Sequence, residues 1–252
     1  MVVAYDGTEF CGWAAQEGRR TVQGTLTEAV RRVSGEEIEI QGASRTDSGA
    51  HAEGQVCHFD ADAQIPVEKW PAILNRVLAP DVCVRSSAAA PITFDSRFSA
   101  ASREYRYRIQ CSARDPFRSR FVHEYGRELN VGRMKEAAAK LLGDHDFRAY
   151  TEELDPCVEN TRRSLLRFEV RSVRDEVWVD VVGTAFLRGM MRRMAGALFE
   201  VGRGRRSVEE VSRLLDPEER DRLQWPVVLP AKGLCLMRVR YGRHPRDHRT
   251  AR

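Results

Sequence analysis

Three features that are scarce in this sequence narrow the classes of protein to which it can belong. Only four of the 41 basic residues are lysines, so arginine supplies nearly all of the positive charge. The longest apolar runs, around residues 178–182 and 227–229, fall far short of the roughly 20 residues that a membrane-spanning helix needs. The six cysteines include no C-x-x-C pair and no histidine at metal-ligand spacing. Reduced thiols, no metal site and no transmembrane helix are therefore expected.

The first residues also lack the pattern of a secretion signal. Residues 1–5 do not combine a basic stretch with a following apolar stretch, as a secretion signal does. We therefore expect a cytosolic protein.

The remaining composition is that of a soluble globular protein. The chain has 252 residues, of which 42% are apolar and 31% charged, enough for one large domain or two ordinary ones. Arginine suits phosphate and base recognition because its planar guanidinium donates two parallel hydrogen bonds and stacks on rings. A GC-rich genome enriches arginine as well, and the net charge is only +4. Composition thus permits a nucleic-acid partner without requiring one.

Hydrophobic periodicity predicts the same order of elements twice, strand-helix-strand-strand-helix-strand. In the first part the predicted strands are 1–5, 36–41, 55–60 and 82–88, and the helices are 21–34 and 67–78. In the second part the predicted strands are 103–111, 164–173, 176–184 and 234–241. One predicted helix follows Asn130, a second spans 186–201, and a short extra helix spans 207–215. This pattern predicts an α+β fold of two ferredoxin-like βαββαβ halves around a mixed or antiparallel central sheet.

The predicted boundaries follow from the same pattern. Residues 1–95 form the N-terminal half, and residues 96–243 form the C-terminal half. Residues 244–252 are basic, contain a proline and have no apolar periodicity. We expect this tail to be disordered.

The most unusual segment is the polar loop Gly42–Ala52, which carries Arg45, Asp47 and His51 between two apolar strands. Its small residues allow another backbone or a ligand to approach closely. A single aspartate in such a loop is commonly a turn former or a cap. Arg45, two residues before Asp47, and the lack of bulky neighbours favour a functional role for the carboxylate. We expect His51 and His58 to be exposed strand or loop residues without a catalytic role.

Several motifs in order make the chain resemble a known family. The resemblance spans nearly the whole chain, and its motifs are Tyr5-Asp6-Gly7-Thr8, Gly12-Trp13, Thr21-Val22-Gln23-Gly24, Arg45-Thr46-Asp47-x-Gly49-x-His51-Ala52, Phe94-Asp95-Ser96-Arg97-Phe98-Ser99-Ala100, Arg103-x-Tyr105-x-Tyr107, Gly143-x-His145-Asp146-Phe147, Thr161-Arg162, the segment from Phe186 to Gly196, and Gly233-Leu234. In the identity and order of these motifs, the chain resembles the tRNA pseudouridine synthase A family.

The resemblance implies a function and a role for four residues. Asp47 matches the catalytic aspartate, and Arg45 matches the arginine that fills the gap left by a flipped uridine. Tyr105 matches the aromatic residue that contacts the target base, and Arg192 matches the arginine that pairs with the catalytic aspartate. The resemblance also implies two ferredoxin-like halves and a homodimer that binds the anticodon arm of tRNA. Uridines at tRNA positions 38 to 40 would be converted to pseudouridine without a cofactor.

The residues themselves are compatible with these roles but leave alternatives open. Arg192 lies opposite the apolar face of its predicted helix, between Gly189 and Gly196, which is also typical of a solvated basic face. Tyr105 shares one side of its predicted strand with Arg103 and Tyr107. An aromatic face with arginines around it can hold single unstacked bases, yet a core tyrosine gives the same pattern.

Two other functions are alternatives to a pseudouridine synthase. Ferredoxin-like sheets also present aromatic residues to single-stranded RNA in proteins without catalytic activity. Asp47 beside Arg45 argues against such a protein, because a pure binder gains nothing from a carboxylate near phosphates. A glycoside hydrolase normally needs two acidic residues on either side of the bond that it cleaves. The sequence offers no second carboxylate that is placed as Asp47 is.

Overall fold

The computed structural model describes residues 1–151 and 160–242. These residues form two compact units, each an α+β arrangement of a mixed sheet with helices. Unit 1 comprises Met1–Ala101 together with the described residues from Cys235 onward, and unit 2 comprises the described part of Ser102–Leu234. The predicted basic tail, residues 244–252, lies outside the described residues, as does Cys157.

Unit 1 contains the predicted order strand-helix-strand-strand-helix-strand. Its elements are β1 (Val2–Tyr5), α1 (Val22–Ser34), β2 (Gln41–Gly42), β3 (His51–His58), α2 (Trp70–Leu74) and β4 (Val82–Ser86). Strand β1 pairs in antiparallel fashion with both β3 and β4, and β2 pairs with the end of β3. The last strand of the chain, called β10 below, spans Leu234–Tyr241 as the sequence predicts, and it runs parallel to β3.

Helix α1 forms where sequence signals and burial agree. The Thr21 side chain accepts a hydrogen bond from the Gly24 N–H and so caps the first turn. The helix ends at Gly35, which adopts a left-handed backbone with φ of 78°, a conformation that glycine adopts without steric cost. Val22, Leu26, Ala29 and Val30 form the buried face of this helix.

Unit 2 contains the remaining elements. They are β5 (Ala100–Gln110), which begins at the end of unit 1, then β6 (His123–Glu124), α3 (Val131–Lys140), β7 (Gly143–Asp146), β8 (Arg162–Val173), β9 (Glu176–Gly183), α4 (Met190–Gly202) and α5 (Val208–Arg213). Strands β5, β9, β8 and β7 pair in that order, all antiparallel, and β6 runs parallel to β5. Helix α3 packs on β8 and against α4 and α5.

Side chains cap the N-termini of two of these helices, α3 and α5. Asn130 caps α3 by accepting from the Arg133 N–H. Ser207 and Glu210 form a reciprocal capping box at the start of α5, which satisfies two N–H groups that helix geometry leaves unpaired. None of the helices in the described ranges has the length and apolarity needed to cross a membrane.

Four predicted elements are clearly wrong in extent. The predicted strand 55–60 is β3, which begins four residues earlier, at His51, and ends at His58. The predicted strand 36–41 has only Gln41 in a ladder, because the Ile40 carbonyl accepts from the Gln23 side chain instead of a neighbouring strand. The predicted helix 67–78 keeps five α-helical residues, since the Asn75 side chain bonds the backbone of Val84 just after them. Helix α4 starts at Met190 and not at Phe186.

The later start of α4 has a backbone cause. Gly189 immediately precedes the helix with φ of 66°, a left-handed conformation that interrupts a right-handed helix. The short strands β6 and β7 were not predicted, because two to four residues give too little alternation to be recognised.

Candidate active site

Asp47 lies in a tight turn between β2 and β3. The Ala50 N–H donates to the Asp47 carbonyl at 3.1 Å and closes a four-residue turn. Gly49 stands at the third position with φ of 79°, which fits glycine in a turn that requires a left-handed residue there. Asp47 is half-buried, whereas Ser48 beside it is exposed. The turn therefore fixes the backbone of Asp47 while leaving its side chain within reach of solvent.

The segment after β1 holds this turn by direct hydrogen bonds. The Phe10 carbonyl accepts from the Gly49 N–H at 3.2 Å and from the Ser48 hydroxyl, also at 3.2 Å. The Trp13 N–H donates to the Thr46 carbonyl at 3.1 Å. Both sides of Asp47 are thus attached to one neighbouring segment.

Two glycines allow that segment to approach so closely. A Cβ atom at Gly12 would lie 2.7 Å from the Thr46 carbonyl oxygen, and one at Gly7 would lie 1.9 Å from the Ala50 carbonyl oxygen. Gly12 also has φ of 86°. Any larger residue at either position would displace the whole Asp47 turn, because the atoms that it meets belong to the backbone and not to a flexible side chain.

Aromatic side chains complete the support of the loop. The Tyr5 and Thr46 hydroxyl oxygens lie 2.8 Å apart in buried surroundings. The Trp13 ring lies 6.3 Å from the Tyr5 ring and covers Gly42, where a Cβ would come within 2.3 Å of the indole. These contacts give the first two motifs of the resemblance a physical role, which is to position the loop.

His51 is a supporting residue that sequence reasoning missed. It was expected to be exposed, but it is buried with 4% of its surface accessible. Its Nδ1 accepts from the Gly7 N–H at 3.0 Å and lies 3.3 Å from an Asp6 carboxylate oxygen. An acceptor Nδ1 requires the neutral ring with its proton on Nε2. The sequence alone carries no signal for this role, because the contact joins residues that are 44 positions apart.

Arg45 shares the loop with Asp47 but is not tied down. Its side chain is exposed and forms no hydrogen bond or ion pair with any residue in the described ranges. Such an arginine can move toward a bound substrate without first breaking an internal contact.

Tyr105 lies in unit 2, on β5. Residues 103, 105, 107 and 109 are buried, while 104, 106 and 108 are half-buried, so the predicted alternation of this strand is confirmed. Tyr105 is 4% exposed, and its ring meets that of Phe186 edge-on at 5.0 Å between centroids. The ring is therefore buried and packed against Phe186.

Two further residues of β5 have defined surroundings. Arg103 is a buried arginine, 7% exposed, whose guanidinium donates to the Thr184 carbonyl at 2.8 Å. The Tyr107 hydroxyl donates to the Pro230 carbonyl at 2.7 Å, and burial raises the pKa of this phenol well above its usual value. A Cβ at Gly233 would lie 2.7 Å from the Tyr107 ring, which explains the glycine of the last motif.

Arg192 lies in the first turn of α4 and is half-buried. Its Nε donates to the Leu229 carbonyl at 2.7 Å, so the side chain is not simply solvated. The flanking glycine Gly196 makes a close contact, because a Cβ there would lie 1.9 Å from the Val227 carbonyl oxygen. Asp47 and Arg45 thus share a loop of unit 1, while Tyr105 and Arg192 belong to unit 2.

The part of the chain that the structure describes contains no group of three His, Cys, Asp or Glu side chains able to hold a metal ion. Five of the six cysteines fall within it, all as free thiols.

Comparison with known proteins identifies the family. The family model for tRNA pseudouridine synthase matches residues 1–99 and 137–242. The tRNA pseudouridine synthase A of Brevibacillus brevis is 39% identical over 241 residues, which are 95% of this chain and 98% of that protein. Those of Halalkalibacterium halodurans and Geobacillus kaustophilus are also 39% identical, over 88% and 95% of this chain and 84% and 93% of their own. Because the family model matches most of the chain and these relatives are similar to it over most of their length, the chain belongs to the tRNA pseudouridine synthase family, a family of isomerases.

Proposed function

We propose that this protein converts uridines at positions 38 to 40 of the tRNA anticodon stem-loop to pseudouridine, with Asp47 as the catalytic residue. The observation that carries the proposal is the attachment of the Asp47 turn. The Ser48 hydroxyl and the Gly49 N–H donate to the Phe10 carbonyl, and the Thr46 carbonyl accepts from the Trp13 N–H, so the backbone on both sides of Asp47 is held in place. Catalysis gains most from groups that are held in position before the substrate arrives.

The reaction needs little more than such a carboxylate. The bond from the ribose to a ring nitrogen breaks, a bond from the ribose to a ring carbon forms, and a proton leaves that carbon while the nitrogen gains one. The product is an isomer of the substrate, so no oxidant, reductant or energy source is consumed. A carboxylate beside the ribose and the ring acts as nucleophile or as base. We accordingly propose that no cofactor takes part.

Three other residues are proposed to belong to the substrate-binding site. Arg45 is exposed and has no partner among the described residues, which supports its entry into the space that a flipped uridine leaves. Tyr105 would contact the target base after its edge-on packing with Phe186 adjusts. The pairing of Arg192 with the catalytic aspartate, which the resemblance implies, stays a prediction.

The finer features of the fold and its setting are also proposals. The βαββαβ order of unit 1 supports a first ferredoxin-like half, and the strands and helices of unit 2 support a second. We further propose that the protein acts as a homodimer in the cytosol, where tRNA is its partner.

The proposal is tested by Asp47→Asn, which removes a charge but almost no volume. Purified variant and wild type are compared on an unmodified tRNA transcript, with pseudouridine read out by position. Turnover should fall by more than about 10³-fold while tRNA binding is retained. Asp62→Asn is the matched control, because Asp62 is exposed and, among the described residues, only its backbone takes part in hydrogen bonds.

The outcomes separate the competing functions. Turnover of Asp47→Asn within tenfold of wild type removes Asp47 from the mechanism. A wild-type protein that binds the transcript but never modifies it would instead be a binding protein without catalytic activity. Modification outside positions 38 to 40 would correct the proposed substrate site while retaining the activity.

A further inference from the structure

The motif of residues 94–99 has no part in the chemistry proposed above. It forms a short turn in unit 1 between β4 and β5. One member of this turn, Phe98, is 81% exposed. A large apolar ring held in water on an otherwise hydrogen-bonded turn calls for a physical explanation.

Hydrogen bonds within the turn fix its backbone. One oxygen of the Asp95 carboxylate accepts from the Arg97 N–H and from the Phe98 N–H, both at 2.7 Å. The Ser99 N–H donates to the Asp95 carbonyl at 3.0 Å, and the Ser99 hydroxyl accepts from the Asp95 N–H at 3.1 Å. Partial burial raises the pKa of Asp95, but the two backbone donors and the nearby charges outweigh it and lower the pKa below its usual value. The turn therefore stays formed at neutral pH.

The turn is also anchored to the rest of unit 1 through one buried residue. Ser96 is fully buried, and its hydroxyl donates to the Gln41 carbonyl at 2.9 Å. Its N–H donates to Nδ1 of His58 at 3.1 Å, and its carbonyl accepts from the Tyr241 hydroxyl at 2.7 Å. Every polar group of Ser96 is thus used to hold the turn, so the orientation of Phe98 is set by the fold.

The chemistry of the exposed tip indicates the class of partner. The Arg97 guanidinium lies 5.4 Å from the centroid of the Phe98 ring. An aromatic face can stack on a nucleobase, and a neighbouring guanidinium can stack or bind phosphate. Ile92 is equally exposed, at 88%, but has no aromatic face to stack on a base. The pair of Arg97 and Phe98 therefore fits RNA better than a purely apolar protein surface.

The position of this tip along β3 indicates which part of an RNA it can reach. Strand β3 begins at His51, next to the Asp47 turn, and ends at His58, which contacts Ser96. Seven residue steps of about 3.3 Å separate the strand ends by roughly 23 Å. This span far exceeds one nucleotide, so a nucleotide at the tip is not the one that reacts at Asp47.

We propose that Phe98 and Arg97 form a second RNA contact, in which Phe98 stacks on a base of tRNA remote from the target uridine and Arg97 supports it. This inference rests on the proposed function, since it takes tRNA as the substrate. It assigns the tip to binding, so it predicts effects on affinity and KM without an effect on the chemical step.

The test measures tRNA binding and single-turnover rates for Phe98→Ala, Phe98→Trp and Arg97→Gln, in the full-length protein. Phe98→Ala should weaken binding and raise KM by roughly 5- to 100-fold, the range expected for the loss of one stacked base. The rate at saturating tRNA should stay within twofold or so of wild type. Phe98→Trp should keep near-normal affinity, because it retains a stacking face.

Ile92→Ala is the matched control, since it removes an equally exposed apolar side chain from the same unit. Thermal melts of all variants check that the turn and the unit remain folded. Because Phe98 is mostly in solvent, its replacement should barely change the melting temperature.

Each other outcome overturns the inference. Normal tRNA affinity in Phe98→Ala and Arg97→Gln, with an active wild type, removes the tip from tRNA binding and leaves the proposed function intact. A change in oligomer mass with normal tRNA affinity would assign the tip to a protein contact. A wild-type protein that neither binds nor modifies tRNA would defeat the proposed function, and the inference with it.

Discussion

The hydroxyl oxygens of Tyr5 and Thr46 lie 2.8 Å apart, and both residues are buried. Tyr5 is the last residue of β1, and Thr46 immediately precedes Asp47. This hydrogen bond therefore joins a strand of the unit 1 sheet to the residue beside the proposed catalytic carboxylate.

Replacing Tyr5 by Phe should slow the reaction more than it destabilises the protein. The change removes one oxygen and leaves the Thr46 hydroxyl without this partner, at a cost of about 1 to 2 kcal/mol in unfolding free energy. We expect kcat to fall about tenfold, since a misplacement of 1 Å at a catalytic group costs up to roughly 10²-fold. Steady-state kinetics and denaturant unfolding on the same preparations would measure both.

Tyr150→Phe is the control for this prediction. The Tyr150 hydroxyl is also buried and donates to the Val211 carbonyl at 2.6 Å in unit 2. It should lose comparable stability and keep its turnover. Equal effects on kcat in both variants would mean that the Tyr5 bond supports only the fold.

Alanine substitutions at two glycines can separate the effect of the close contact with the Asp47 turn from the effect of backbone strain. Gly12 and Gly18 both have positive φ, 86° and 66°, so alanine costs about 1 to 2 kcal/mol at either. Only at Gly12 does an added Cβ meet the Asp47 turn, whereas at Gly18 it meets open space. Gly12→Ala should therefore lose at least tenfold in turnover, and Gly18→Ala should lose stability alone. Similar turnover in the two would contradict the role of the close contact.

The sequence was sufficient for most elements because hydrophobic period and end signals coincided there. Helix α1, with its Thr21 cap, and the final strand were predicted nearly to the residue. The strand expected at 36–41 failed because alternation of apolar residues does not reveal whether a neighbouring strand is available. At Ile40 a side chain, that of Gln23, takes the place of such a strand.

The candidate site was predictable in part for a similar reason. A polar, glycine-flanked loop with Asp47 and Arg45 is visible in the sequence. The burial of His51 and its bond to the Gly7 N–H are not, because they arise from residues 44 positions apart that only the fold brings together. The burial of Arg103 is likewise a property of its surroundings, since arginine in a strand is more often exposed.

Acid stability should depend on one arginine of unit 2. Arg118 bonds the carboxylates of Asp175 at 2.7 Å and Asp115 at 2.8 Å. The hydrogen bonds from this guanidinium hold the pKa of both carboxyls below the usual range. A depressed pKa contributes stability that is complete above the unfolded value, near pH 4, and is lost as the pH falls further.

Arg118→Met should therefore lower the melting temperature at pH 7, and the difference from wild type should shrink as the pH is taken from 5 toward 2. Arg222→Met is the control, because Arg222 is exposed and its side chain makes no hydrogen bond or ion pair in the described ranges. Thermal melts across this pH range would decide the matter. A difference that does not change with pH would mean that Arg118 acts by packing alone.

The proposed pairing of Arg192 with Asp47 makes the sharpest kinetic prediction. Arg192→Lys keeps a positive charge but loses the planar fork and its Nε donor, which bonds the Leu229 carbonyl. It should slow turnover markedly while tRNA affinity changes little, and Arg192→Ala should be slower still.

A double variant distinguishes a joint role from two separate ones. If Arg192 acts only through the carboxylate of Asp47, the combination of Asp47→Asn with Arg192→Ala should be no slower than Asp47→Asn alone. Single-turnover rates with an unmodified transcript give this comparison directly.

Arg193→Ala is the matched control, since Arg193 is the next residue of α4 and its guanidinium also donates to a backbone carbonyl, that of Pro226 at 2.7 Å. A loss of stability common to both arginines would appear in both single variants, whereas the non-additive loss of turnover should appear with Arg192 alone. Additive losses with Asp47→Asn would assign Arg192 to a separate task, such as holding the loop that contains Leu229.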